Sequence, residues 1–212
     1  MHVEKDMRIT ESVKQAGTLI DQREVRKTIV NLPNLLTLAR ILLIPVFVLL
    51  FLDPTPERAL AAGLVFATAS LTDLLDGYLA RRRSQVTKLG HLLDPIADKL
   101  LVLSGLILLV HFHRVAVVVA ILIIAREVAV TGIRALAASE GLALPVETTA
   151  KYKMTAQVLA IVLLIVEDSF VPASWNLHLI GTVLLYVALA LGLISGGQYV
   201  VKFWRQFKLK EL

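Results

Sequence analysis

Four aspartates, Asp73, Asp76, Asp94 and Asp98, crowd into the stretch "DLLDGYLARRRSQVTKLGHLLDPIADK" at residues 73–99. The first two are three apart and the last two four apart, and residues at those spacings share one face of a helix. Two helices joined by a short loop pair side by side, so all four carboxylates would converge. A carboxylate held within a bilayer costs about 2.5–3.5 kcal/mol on the more lenient insertion scale, and four like charges also repel one another. Divalent cations remove both costs. Ligands that are all oxygen favour a hard ion, Mg²⁺ or Mn²⁺, over zinc. Two such ions sharing carboxylates form a clamp suited to phosphoryl chemistry. For one aspartate alone, solvation or a salt bridge to Lys99 or Arg81 is an adequate account; for the set it is not. Gly77, Ala80 and Gly90 leave room for a backbone or ligand to come close. Arg81, one turn beyond Gly77, is placed for a phosphate.

The elements that must position these groups are strongly apolar. Of the 212 residues, 57% are hydrophobic, and they cluster into runs near bilayer length. This composition predicts an all-α, polytopic membrane protein. Six membrane helices are expected over residues 35–52, 57–82, 91–112, 115–138, 151–167 and 178–203, with Pro45 kinking the first rather than ending it. Residues 34–212 then form one membrane domain. Residues 1–33 form a polar cytoplasmic segment without the apolar core of a cleaved signal peptide. Within it, Ile9, Val13, Ala16 and Ile20 are spaced for an amphipathic helix on the membrane surface, the alternative being a soluble tail.

Charge sets the orientation. Placing both termini in the cytoplasm puts 17 lysines and arginines on that side and only Arg58 and Arg114 on the other, as the positive-inside rule requires. The aspartates then lie at the cytoplasmic ends of the second and third helices. The net charge of +5 does not signal nucleic acid, because aromatics are 6% of the chain and do not alternate with the basic residues. The absence of cysteine excludes disulfides and thiolate metal sites.

The pattern Asp73-x2-Asp76-Gly77-x2-Ala80-Arg81-x8-Gly90-x3-Asp94-x3-Asp98 resembles, without a departure, the signature of the CDP-alcohol phosphotransferase family. The resemblance extends from "NLPNLLTLARILLIP" through "KMTAQ". It implies a six-helix enzyme of the cell membrane, usually a homodimer, with two divalent metals at its cytoplasmic face and a CDP-linked lipid as donor. By matching position it implies that Asp73 and Asp94 touch both metals, Asp76 one and Asp98 the other. Asp98 would also accept the proton of the attacking alcohol. Gly77, Arg81 and Thr87 would contact the CDP group, and Asn34 and Thr37 would help hold the nucleotide.

The acceptor is read elsewhere. In "AREVAVTGIRALAASEG", Arg126 and Arg134 are eight apart, about 80° around a helix. With Lys151 and Lys153 they could form a cationic pocket for a phosphorylated acceptor, with Glu127 and Gln157 as supporting residues. Alternatively Arg126 pairs with Glu127 or Asp98, and the other three only snorkel to the interface. "AREVAVTGIR" and "AKYKMTAQ" resemble the family members that join CDP-diacylglycerol to glycerol 3-phosphate, releasing CMP. Inositol phosphate, serine or phosphatidylglycerol would be acceptors for the same chemistry. A divalent-cation transporter is a rival of another kind. It is disfavoured because the acidic residues gather at one edge, with Glu167 and Asp168 standing alone at the other. His111 and His113 are expected as interfacial anchors rather than a metal pair, and Gly196 and Gly197 as packing or dimer contacts.

Overall fold

The computed structural model describes the backbone over residues 32–83, 88–142, 148–169 and 175–210, and side chains over 35–72, 96–97, 99–142, 152–169 and 175–208. The amphipathic reading of residues 8–30 lies outside the described residues. Among the described residues the chain is all helix: α1 (Leu32–Phe51), α2 (Pro56–Arg83), α3 (Lys88–His111), α4 (Val117–Ser139), α5 (Thr148–Ile165) and α6 (Leu177–Lys210). Each begins and ends within three residues of expectation except at the C-terminus of α6, which runs seven residues further. That extra segment, "WRQFKLK", is too polar to belong to an apolar run. Its basic residues suit a helix C-terminus.

Local chemistry ends the helices where the sequence allows. Thr55 caps α2, its hydroxyl accepting from the Arg58 amide at 3.3 Å, and Pro56 fills the first helical position, where its missing N–H costs nothing. Asn176 caps α6 in the same way, accepting from the Leu179 amide at 3.2 Å. Gly141, at φ +71°, turns the chain out of α4.

The helices pair as α1 with α2 and α5 with α6. Further contacts join α1 to α3, α2 to α5, and α4 to α6. Phe47 and Phe51 of α1, Phe66 of α2, Leu106 and Leu109 of α3, and Ile161, Leu164 and Ile165 of α5 are fully buried at the centre. Phe47 meets Phe66 edge-on at 5.3 Å. Glycines admit the closest approaches. A Cβ at Gly105 would lie 2.9 Å from the Phe66 ring and 3.2 Å from Ile161, and one at Gly181 would lie 2.8 Å from Leu164.

Around this apolar core the outer surface is also apolar, unlike that of a water-soluble protein. Thr37, Arg40, Arg114, Lys153, Gln157 and Ser195 are buried, while large apolar residues such as Leu42, Leu49, Leu64, Val118, Val128 and Val201 are exposed. Apolar surface on this scale suits lipid contact. Among the described residues, α6 alone is long and apolar enough to cross a membrane by length and composition; Leu35–Phe51, Lys99–His111 and Tyr152–Ile165 are shorter apolar stretches.

Candidate active site

The Phe66–Gly105–Ile161 contact sets α2, α3 and α5 in register. From it, Asp73 lies seven residues along α2 and Asp98 seven residues back along α3. Seven residues are about 10.5 Å, and within about 20° of two full turns. Asp73 and Asp98 are therefore level with each other, on the helix faces that meet at Gly105. Asp94, eleven residues from Gly105, returns to within about 20° of the same face, and Asp76 is turned about 80° from it. The side chains of all four aspartates lie outside the described residues, as do those of Asn34, Gly77, Arg81 and Lys151; Thr87 lies outside them altogether. Among the described side chains, no three His, Asp or Glu gather as metal ligands.

The first helix meets the aspartates' end of α2. Arg40 is buried, and its Nε donates to the Ala69 carbonyl at 3.2 Å. That carbonyl, four residues before Asp73, also accepts from the Thr72 hydroxyl at 2.7 Å. The two helices run antiparallel, so Thr37, three residues before Arg40 and fully buried, is level with residues 72–73. Asn34 comes level with the turn that follows.

A cationic cluster joins α4, α5 and α6. Arg126 donates from Nε to the Gly192 carbonyl at 2.9 Å, from Nη2 to the Ser195 hydroxyl at 2.5 Å, and from Nη1 to Glu127 Oε1 at 3.0 Å. Lys153 Nζ donates to that same carboxylate oxygen. Two cations share one carboxylate, leaving one net positive charge in a largely buried site. Gly192 and Gly196 line Arg126; a Cβ at either would meet its side chain at ordinary contact distance, 3.7 Å and 3.5 Å. Lys153 is eight residues from Ile161, about 12 Å, which brings the cluster level with Asp73 and Asp98.

Of the residues expected to hold an acceptor phosphate, Arg126 and Lys153 thus come together. Arg134 does not join them. It is exposed two turns along α4, 6.0 Å from the centre of the Tyr199 ring. The alternative pairing of Arg126 with Glu127 is present, yet it does not consume the cluster's charge, because Lys153 leans on the same carboxylate. Gly192 and Ser195 are missed by sequence reasoning. Their only signal is Gly192-x2-Ser195-Gly196, small residues on one face of α6.

At the opposite end, one expectation needs correction. Glu167 and Asp168 do not stand alone. Arg114, buried, bonds Asp168 at 2.6 Å and Glu167 at 3.2 Å, and donates to the Leu164 and Ile165 carbonyls at 2.7 and 3.0 Å. His178 bonds the other Glu167 oxygen at 2.8 Å. These acids serve a clamp on the C-terminus of α5, not an ion path.

Comparison with known proteins agrees with the geometry. Residues 30–194 match the CDP-alcohol phosphatidyltransferase family. The chain is 38% identical over 190 residues to the CDP-diacylglycerol–glycerol-3-phosphate 3-phosphatidyltransferase of Bacillus subtilis, covering 84% of this chain and 97% of that protein. It is 43% identical over 183 residues to the protein of the same name from Pseudomonas fluorescens, covering 84% and 92%. A third of that name, from Rickettsia bellii, is 41% identical over 169 residues, covering 80% and 93%. With its aspartate-bearing helices in register and most of its length matched, this chain belongs to the CDP-alcohol phosphatidyltransferase family.

Proposed function

We propose that the chain transfers the phosphatidyl group of CDP-diacylglycerol to glycerol 3-phosphate, giving phosphatidylglycerophosphate and CMP. The observation that carries this reading is the buried Arg126–Lys153 cluster level with the aspartate positions. A cationic seat for a phosphate beside a site for phosphoryl transfer is what this reaction needs. Neither serine nor phosphatidylglycerol presents a phosphomonoester to such a charge, whereas glycerol 3-phosphate does.

Oxygen-only donors at Asp73, Asp94 and Asp98, on helix positions that face one another, with Asp76 turned about 80° from them, would suit two hard cations. When bound, Mg²⁺ or Mn²⁺ neutralises the pyrophosphate and the charge developing on departing CMP. The chain's own residues do the rest. Thr37, level with Asp73, and Asn34, level with the turn after it, hold the nucleotide with Gly77, Arg81 and Thr87. Arg126 and Lys153 fix the acceptor phosphate, with Lys151 and Arg134 closer to the entrance. The acceptor's primary hydroxyl attacks the lipid-side phosphorus. A new P–O bond forms, the bond to the CMP oxygen breaks, and the hydroxyl proton passes to Asp98. A carboxylate among cations is a weak base, so the proton moves late, as the hydroxyl becomes acidic.

The six helices each cross the membrane in this reading, with both termini and the site at the cytoplasmic face and residues 1–33 lying at that surface. The two basic residues on the other side support it: Arg58 pairs with Asp53 at 2.8 Å and Arg114 with two acids, so neither presents a free charge there. The enzyme works as a homodimer. Purified protein given labelled CDP-diacylglycerol and each acceptor in turn tests the assignment: glycerol 3-phosphate should release CMP only when a divalent cation is present. CMP release with inositol phosphate, serine or phosphatidylglycerol, and none with glycerol 3-phosphate, overturns it.

A further inference from the structure

Gln157 stands one turn beyond Lys153 on α5, about 6 Å along the axis and on nearly the same face. It is 3% exposed, and its Oε1 meets no hydrogen-bond partner among the described residues. Buried polar groups are almost always paired, so an unpaired amide oxygen beside a cationic cluster calls for an occupant. The other three side-chain atoms left in this way among the described residues lie elsewhere. Ser169 and Thr182 are at the far end, and Gln206 is in the last turns of α6. Gln157 lies between the Lys153 level and the Ile161 contact, on the deep side of the cluster.

We propose that Gln157 selects the acceptor by binding its free secondary hydroxyl. The inference rests on the reading of the cluster as the seat of the acceptor phosphate. With phosphate on Arg126 and Lys153, a three-carbon phosphoester laid along α5 brings its middle hydroxyl to the amide. Its terminal hydroxyl then turns away from α5 and back toward the level of Asp98. A hydroxyl both donates and accepts, so it satisfies the amide whichever end the amide presents. A site built around a hydroxyl rejects the analogue that lacks it, because the buried group then stays unpaired.

The test compares two acceptors on one preparation: glycerol 3-phosphate and 3-hydroxypropyl phosphate, which lacks the secondary hydroxyl. The wild-type protein should favour glycerol 3-phosphate by about tenfold or more in kcat/KM. Gln157→Leu should bring that ratio to near one, by lowering the value for glycerol 3-phosphate and leaving the analogue's unchanged. Unfolded material cancels from such a ratio. A wild-type ratio near one, or a ratio unchanged in Gln157→Leu, overturns the proposal. Lys153→Met separates the underlying reading. It should raise KM for both acceptors in parallel, and if it leaves both unchanged the phosphate seat is misplaced, while the Gln157→Leu ratio still decides the role of the amide.

Discussion

Arg126 illustrates how a single residue's function depends on who holds it. A guanidinium in an apolar helix is costly unless its donors are satisfied. Here three of its nitrogens are spoken for by Gly192, Ser195 and Glu127. Ser195→Ala removes one restraint without touching charge or volume much. KM for glycerol 3-phosphate should rise about three- to tenfold, the worth of one such bond, while KM for CDP-diacylglycerol stays put; steady-state kinetics varying each substrate checks this. Asp94→Ala acts on the other half of the site. Losing a carboxylate from a two-cation clamp removes several kcal/mol of transition-state stabilisation, so turnover should fall on the order of a thousandfold or more. Retained turnover in that variant, across a titration of Mg²⁺ and Mn²⁺, would sink the metal assignment.

At the scale of elements, the two ends of the bundle have different tasks. The aspartate end needs helices held in register, and this is the work of Gly105, where α2, α3 and α5 come within contact of one another. The far end is closed by Arg114. It binds the carbonyls that α5 leaves open, pairs with Glu167 and Asp168, and lies 5.4 Å from the centre of the Phe51 ring in α1. Arg114→Met keeps the stem but leaves the largely buried Glu167 with His178 as its remaining partner. Breaking such a pair costs about 3–5 kcal/mol, so the thermal midpoint in detergent should drop by several degrees. Because Arg114 is remote from the aspartates, the acceptor KM of the folded fraction should not change; a changed KM with an unchanged midpoint would contradict the division of labour.

For the whole molecule, the apolar outer surface and the asymmetry of charge make a joint claim about topology. The chain has no native cysteine, so single cysteines report cleanly. Thr55→Cys, in the exposed turn between α1 and α2, should react with a membrane-impermeant maleimide in intact cells. Lys208→Cys, in the last turn of α6, should react only after the membrane is opened. Reaction of both before permeabilisation would break the proposed arrangement of six crossings. The homodimer is checked on the same material, as a mass of twice 23.3 kDa after subtraction of bound detergent.

What could be read without coordinates is whatever depends on short range. The i, i+3 and i, i+4 spacing of the aspartates and the runs that became α1 to α6 are local patterns. Helical periodicity alone translates them into faces and boundaries. What only the tertiary structure decided depends on register between helices distant in sequence. Arg126 meets Gly192 and Ser195 across 66 and 69 residues. Arg40, counted from sequence among the cytoplasmic charges, proves buried against Ala69, and Arg134, eight residues from Arg126, is left outside the cluster. Arg114 gathers two acids that looked solitary. No periodicity in one segment states which turn of another it will meet. That is settled by where a glycine lets two backbones close, and with it which charges share a partner.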